Sequence, residues 1–193
     1  VQTDTIKWNM RATVIKYDPG SVERITRMLG HEPTGPDLRR LESLALIEPD
    51  DVVDVIGNAV LDAGKQRLGD LITGTGSPVA FSATRGVTGV GNGTTGNTSG
   101  MTALQGASQF YKGLDGAPSS LTGVISASAT FTAAEGNFAW EEWCWAIATA
   151  APVASSSFST ATTSGVIINR KVQSLGTKAN GAVWTLAAQV SLS

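Results

Sequence analysis

From Val183 onward the chain reads Val-Trp-Thr-Leu-Ala-Ala-Gln-Val-Ser-Leu-Ser193, and its alternation leaves little choice of conformation. Trp184, Leu186, Ala188, Val190 and Leu192 fall on one face, and Thr185, Ala187, Gln189 and Ser191 on the other. A side-chain period of two is that of an extended strand with one buried and one mildly polar face. Asn137-Phe-Ala-Trp-Glu-Glu-Trp-Cys-Trp145 and Asn169-Arg-Lys-Val-Gln-Ser-Leu-Gly-Thr-Lys178 precede it, separated by a Ser/Thr-rich gap. A chain that spends its last residues on a sheet edge is expected to be a compact module that assembles or binds, not one built around a catalytic centre.

Further strands are expected at Val79–Thr84, Gly86–Val90, Gln109–Gly113, Leu121–Thr132, Phe138–Ala148, Gly165–Leu175 and Ala182–Leu192, with Asp115-Gly116 as a tight-turn signal. Regular turn punctuation argues for an antiparallel sandwich or jelly roll. Upstream, Ile6, Trp8, Met10, Ala12 and Val14 alternate with Lys7, Asn9, Arg11 and Thr13, which predicts an N-terminal strand. After the turn signal Asp18-Pro-Gly20, Val22 to Leu29 reads either as a returning strand or as a short helix, and the hairpin-like turn favours the strand. Leu38, Leu41 and Leu44 suggest a short helix from Pro36. Asp50 to Ile72 reads as one long helix, with Val53, Ile56, Val60, Ala63, Leu68 and Leu71 along a stripe and Asp51, Asp54, Asp62 and Asp70 off it. Pro49 and Asp50 suit its start and Gly74 its end.

Charge divides the chain. Residues 1–72 hold 21 of the 30 charged side chains, and the rest is rich in Gly, Ser, Thr and Ala. The boundary predicts a strand-plus-helix segment over 1–74, packed on its own sandwich or on a neighbouring subunit, and a β-sandwich domain over 75–193. A net charge of −2 offers no basic face for a phosphate backbone and no polybasic run for an anionic membrane. No apolar run reaches the length of a membrane span, and Val1-Gln-Thr-Asp-Thr5 has neither the basic nor the apolar region of a secretory signal. Neither nucleic acid nor membrane is therefore an expected partner.

Chemistry-bearing residues are sparse. Cys144 is the only cysteine, which excludes an internal disulfide and a cysteine zinc site, and it reads as a small buried hydrophobe. His31 is the only histidine and sits in a turn-rich loop. Gly91-Asn-Gly-Thr-Thr-Gly96 matches a dinucleotide-binding fingerprint by letter, but no helix-forming run follows, so a flexible glycine loop is expected. Glu141 and Glu142 are neighbours on a strand and face opposite sides, which does not suit a glycosidase pair. Asp115 and Glu135 carry no metal-site pattern. No catalytic residue, cofactor or metal is expected, and the chain reads as a non-enzyme.

Aromatic residues are concentrated where assembly is expected. On a regular strand Trp143, Trp145 and Ile147 point one way and Trp140, Glu142 and Cys144 the other. The first set reads as sandwich core, with a subunit interface or a sugar-stacking platform as alternatives. The residues assigned to an assembly interface are Ile6, Trp8, Trp140, Trp143, Trp145, Arg170 and Lys171. Arg170 and Lys171 read as a solvated pair or as partners of the Asp50–Asp54 cluster on a neighbouring subunit.

Several segments taken together resemble a family of small virion structural proteins of tailed bacteriophages. They are Asn58 to Gly74, Gly89-Val-Gly-Asn-Gly-Thr-Thr95, Thr102-Ala-Leu-Gln-Gly106, Phe110-Tyr-Lys-Gly113, Phe138-Ala-Trp-Glu-Glu-Trp143, Ile168-Asn-Arg-Lys-Val172, Ser174-Leu-Gly-Thr-Lys178 and Trp184-Thr-Leu186. The likeness covers roughly residues 50–193, while His31 to Glu48 departs from it as an insertion. It implies a mainly β, jelly-roll-like particle protein located in the virion and assembled in the host cytoplasm. Its expected partners are copies of itself, with a trimer preferred, and a neighbouring capsid, neck or tail protein. Capsid decoration or cement is one such role and a neck or tail component another. The alternative is a receptor- or carbohydrate-binding head of a tail fibre. The resemblance transfers no functional residues.

Overall fold

The computed structural model describes residues 8–57, 59–149, 157–158 and 166–192. Ile6 lies outside the described residues. In chain order the elements are β1 (Trp8–Tyr17), α1 (Pro19–Leu29), α2 (Gly35–Ser43), β2 (Asp51–Ile56), β3 (Ala59–Val60), α3 (Asp62–Thr73), β4 (Gly86–Gly91), β5 (Gln109–Gly113), β6 (Ser119–Leu121), β7 (Val124–Phe131), β8 (Ala139–Ile147), β9 (Ser157–Phe158), β10 (Val166–Ile167), β11 (Asn169–Thr177) and β12 (Val183–Leu192). The fold is mainly β, with two antiparallel sheets and three helices among the described residues. One sheet runs β2-β1-β12-β7-β6. The other runs β3-β11-β8-β4-β5-β9, with β10 also paired to β8.

The alternation in β12 becomes burial on one face. Trp184, Leu186, Ala188 and Val190 join Met10, Ala12 and Val14 of β1 in a cluster that also takes Val90, Trp143, Trp145 and Leu175 from the other sheet. The core therefore lies between the sheets. A second cluster, with Val87, Tyr111, Cys144 and Ala146, fills the far face of the β4–β5–β8 sheet beneath Leu61, Leu104 and Ile167.

Helices cover part of the outer face of the first sheet, and here the sequence expectation of a returning strand fails. Val22 to Leu29 belongs to α1, whose Val22 and Ile25 pack with Tyr17, Val183, Leu38 and Leu41. Pro19 opens the helix, where its missing N–H costs nothing, and Gly30 closes it at φ 79°. Asp18-Pro19-Gly20 is thus a helix start and not a hairpin turn. The short helix expected from Pro36 appears as α2, begun by a reciprocal Thr34–Asp37 capping box.

The single long helix over Asp50 to Ile72 is also corrected. Asp51–Ile56 is a strand, Gly57 turns the chain at φ 76°, and only Asp62–Thr73 is helical. Val52, Val53, Val55 and Ile56 are β-branched, which suits a pleated strand more than a helix. Pairing with β1 then buries Val55 completely, a tertiary gain that a helical stripe did not anticipate. The strand expected over Leu121–Thr132 appears as β7 from Val124, and Leu121 instead ends β6, which the sequence reading did not separate from it. Thr122 and Gly123, at φ 50° and 78°, form a two-residue turn between them. Val79–Thr84 forms no strand, and Phe81 instead sets its ring 5.0 Å from that of Trp145.

Within α3 the two glycines have opposite environments. A methyl group at Gly64 would sit 2.4 Å from the Ile168 carbonyl oxygen, so close helix–strand packing requires the bare backbone there. Gly69 faces open space. Gly64→Ala should cost about 1–3 kcal/mol through forced backbone shifts. Gly69→Ala should stabilise by up to about 1 kcal/mol through helix propensity. Urea denaturation of both variants checks the pair, and equal effects would refute this packing of α3.

Candidate functional site: a buried carboxylate beneath a glycine loop

The most highly built polar site lies where β8 and β11 meet the loop between β4 and β5. Alternation along β8 turns Glu142 away from the inter-sheet core, toward the side occupied by Cys144. Its side chain is fully buried, and a buried carboxylate is tolerated only with a counter-charge and hydrogen-bond donors. Both are present. Arg170 Nε donates to Oε2 at 2.5 Å, and Arg170 is itself fully buried. Oε1 accepts from the backbone N–H groups of Gly93 at 3.2 Å, Gln105 at 2.9 Å and Gly106 at 2.7 Å.

The guanidinium carries the network onward. Arg170 Nη1 donates to the Thr95 carbonyl at 2.8 Å and to Asn97 Oδ1 at 2.7 Å, and Asn97 Nδ2 returns a bond to the Arg170 carbonyl at 3.0 Å. The pair thus holds both ends of the 93–106 segment against the sheet. The glycines are needed for contact, since a Cβ at Gly93 would lie 2.4 Å from Glu142 Oε1 and one at Gly106 2.5 Å from the Gly93 nitrogen. The fingerprint-like letters at Gly91–Gly96 therefore serve an internal carboxylate. Where a phosphate-binding loop turns its amide toward a ligand, Gly93 turns its own toward Glu142. The loop is pinned where the sequence suggested flexibility.

A second buried charge sits at the end of β11. Lys178 is 1% exposed, and its Nζ donates to the Thr132 carbonyl and Asn137 Oδ1, both at 2.8 Å. Burial lowers its pKa to about 8, against the opposing pull of Glu135 and Glu32. Glu135 binds Lys112 at 2.8 Å, while Asp115 accepts from Thr130 and Arg39. These two carboxylates are committed to different partners and do not form a joint cation site. Among the described residues, no group of three or more His, Cys, Asp and Glu side chains is arranged to hold a metal ion. No described helix is long and apolar enough to cross a membrane.

The described residues assigned to assembly are not brought together on a surface. Trp140, Trp143 and Trp145 are 0%, 1% and 2% exposed and lie in the chain's own core. Trp140 shares the cluster of Trp143 and Trp145 instead of facing the opposite way with Glu142. The β8–β11 register shifts between Val172 and Gly176, opposite this part of β8, and the Trp140 ring meets Trp184 edge-on at 4.9 Å. Sugar stacking by Trp143 or Trp145 would need exposed indoles, which these are not. Trp8 is half-buried at the rim of the core, in an apolar groove with Leu68, Leu71 and Phe81. Arg170 is consumed by Glu142, and Lys171 donates to the Ile56 carbonyl at 3.1 Å. The Asp50–Asp54 cluster is answered within the chain. Asp50 accepts from Ser21 and the Asp18 N–H, Asp51 pairs with Lys16, and Asp54 pairs with Arg11 and Thr13. These bonds, from Lys16 to Asp51 and from Thr13 and then Arg11 to Asp54, hold both carboxyls below the usual range.

Sequence reasoning missed the Glu142 clamp. A glutamate among the apolar residues of β8 was its one visible signal, but its amide partners stand 36 to 49 positions away.

Glu142→Ala should cost about 3–5 kcal/mol, because it strands a buried guanidinium. Replacing both partners, Glu142→Leu with Arg170→Met, should cost less than Glu142→Ala alone. Hydrogen exchange at the Gly93, Gln105 and Gly106 amides should accelerate in the single variant. Unchanged exchange there would show that the loop is held by something else.

Lys178 predicts a pH effect. In the unfolded chain its pKa is the ordinary 10.5, so between about 8 and that value the unfolded state binds more protons than the folded one. Its contribution to stability therefore rises with pH across this window and is most unfavourable below about 8. Denaturation of wild type and Lys178→Met from neutral pH to about 9 should show the wild type gaining on the variant. A constant difference would contradict the burial assigned to this amine.

Comparison with known proteins returned no matching family model, no matching curated protein and no matching solved structure.

Proposed function

We propose that the chain is a structural protein of a tailed-phage particle that acts by burying surface against copies of itself and a neighbouring capsid, neck or tail protein. The observation that carries this is the placement of its exposed apolar side chains. Val52 and Ile56 on an edge strand are 49% and 78% exposed, and Met28, Leu44 and Leu46 around the helical layer are each more than half exposed. Apolar side chains standing on a sheet edge favour association. The internal charges, by contrast, are spent on holding the fold, as the Glu142–Arg170 clamp illustrates.

The two sheets are read here as a sandwich of jelly-roll-like character. The pairing of the first strand with the last, β1 against β12, supports that reading, as does the single cluster drawn from both sheets. The sequence likeness over roughly residues 50–193 supplies the particle context. Capsid decoration and a neck or tail position remain the two forms of the proposal.

Immunogold electron microscopy of intact particles, with antibody raised to the recombinant protein, tests it. Label over the head expects a decoration or cement protein, and label at one vertex or the tail expects a neck or tail component. Absence of the chain from denatured, purified particles on a blot would overturn the proposal.

A further inference from the structure

β2 ends the five-stranded sheet, and no described strand pairs with its outer edge. The register shows what that edge presents. Ile56 stands opposite Arg11, Asp54 opposite Thr13 and Val52 opposite Ile15. The Gly57 N–H donates to the Met10 carbonyl, which makes Arg11–Ile56 a non-hydrogen-bonded pair of the antiparallel ladder. By the alternation of such ladders, the backbone N–H and C=O groups of Val52, Asp54 and Ile56 are directed away from β1. Thr13 Oγ1 reaches Asp54 Oδ1 at 2.6 Å, in keeping with the closer side chains of such a pair. β2 therefore offers a short row of outward backbone groups flanked by Val52 and Ile56, the latter the most exposed large apolar side chain among the described residues. Within this row the Val52 N–H donates to Asp51 Oδ1 at 2.9 Å and the Ile56 carbonyl accepts from Lys171 Nζ at 3.1 Å, two exposed side-chain contacts that a pairing strand would displace.

The strand is self-complementary in one register. In antiparallel pairing about a two-fold axis through Asp54, Val52 of each copy falls opposite Ile56 of the other, on the outer face. Val53 falls opposite Val55 on the inner face. Directly opposed residues in a sheet share a face, so this register keeps every apolar residue on the side it already occupies. The like charges at the axis are not bare, because each Asp54 is bound by its own Arg11 at 2.8 Å and by Thr13. A two-fold contact of this kind closes on itself and covers the edge that each copy leaves open.

We propose that β2 is a homodimer interface, in which two copies pair antiparallel through Val52, Asp54 and Ile56 and join their five-stranded sheets into one. The proposal rests on the assembly reading in taking a second copy as the partner, and it makes the contact two-fold where a trimer was expected. It is tested on the purified chain, so a failure to find the protein in particles leaves it standing, and a failure here leaves particle localisation open to its own test.

Sedimentation of the wild type should give twice the 19.9 kDa chain mass, falling to the single mass on dilution. Asp54→Pro removes an outward N–H at an edge position where proline is tolerated. The double change Val52→Lys with Ile56→Lys keeps the backbone but puts charge on the edge. Both should sediment as monomers under conditions where the wild type is dimeric, with circular dichroism unchanged. Asp54→Cys should be cross-linked between copies by a short bis-maleimide, because the axis sets its two copies opposite one another, about 5.5 Å apart at Cα. The buried Cys144 does not compete for that reagent. A wild type that stays monomeric at every concentration overturns the proposal, as does a dimer that survives both edge variants or a dimer in which Asp54→Cys fails to cross-link.

Discussion

The ten-residue ladder between β1 and β12 organises the rest of the molecule. It joins the first described strand to the last, so both halves of the chain depend on one register. Slipping it by one residue would turn Trp184, Leu186, Ala188 and Val190 out of the core and Thr185, Ala187 and Gln189 into it. With the register fixed, β7 adds beside β12 and β2 beside β1. Tyr17 and Val183, a directly opposed pair at the end of this ladder, then form the floor on which α1 and α2 pack. Helical cover, inter-sheet core and open β2 edge all follow from that one alignment.

Within this frame, buried polar groups hold segments of the chain to one another. Glu142 and Arg170 come from adjacent strands of the second sheet and bind a loop that has no regular structure of its own. The carboxylate replaces the ladder partners that the loop amides lack, and the guanidinium satisfies the charge that burial would otherwise penalise. Lys16 plays a related part in the first sheet, lying over the Trp184 ring at 4.7 Å while pairing with Asp51 at its rim. Such a network makes the fold specific, and it leaves the outer apolar residues as the groups available to a partner.

Much of the second half was legible in sequence because its signals are local. Gln109–Gly113 is a strand with the bounds its residues suggest, and β4, β8 and β12 differ from expectation by at most a residue at an end. Cys144 is buried, as a lone cysteine among tryptophans suggests. The first half misled because its apolar residues fit two periods at once. Val53, Ile56 and Val60 lie at helical spacing, yet Val53 and Val55 also alternate, and only pairing with β1 decides between them. Asp18-Pro-Gly20 serves equally as a turn or a helix start. What decides there is the apolar floor of Tyr17 and Val183, the latter brought from the far end of the chain. Three of the residues assigned to assembly, Trp140, Trp143 and Trp145, lie in the core, since tryptophan is suited both to a core and to an interface.

By itself the sequence determined a mainly β chain of antiparallel strands, the two faces of its last strand, and an uneven division of charge. These are consequences of side-chain period and composition, which need no neighbour to be read. Tertiary structure alone decided which strand pairs with which, that Glu142 and Arg170 neutralise each other beneath the 93–106 loop, and that β2 stands at an edge with Ile56 exposed. Each of these is a contact between residues far apart in the chain. Its free energy exists only once burial and hydrogen bonding have been settled for both partners together.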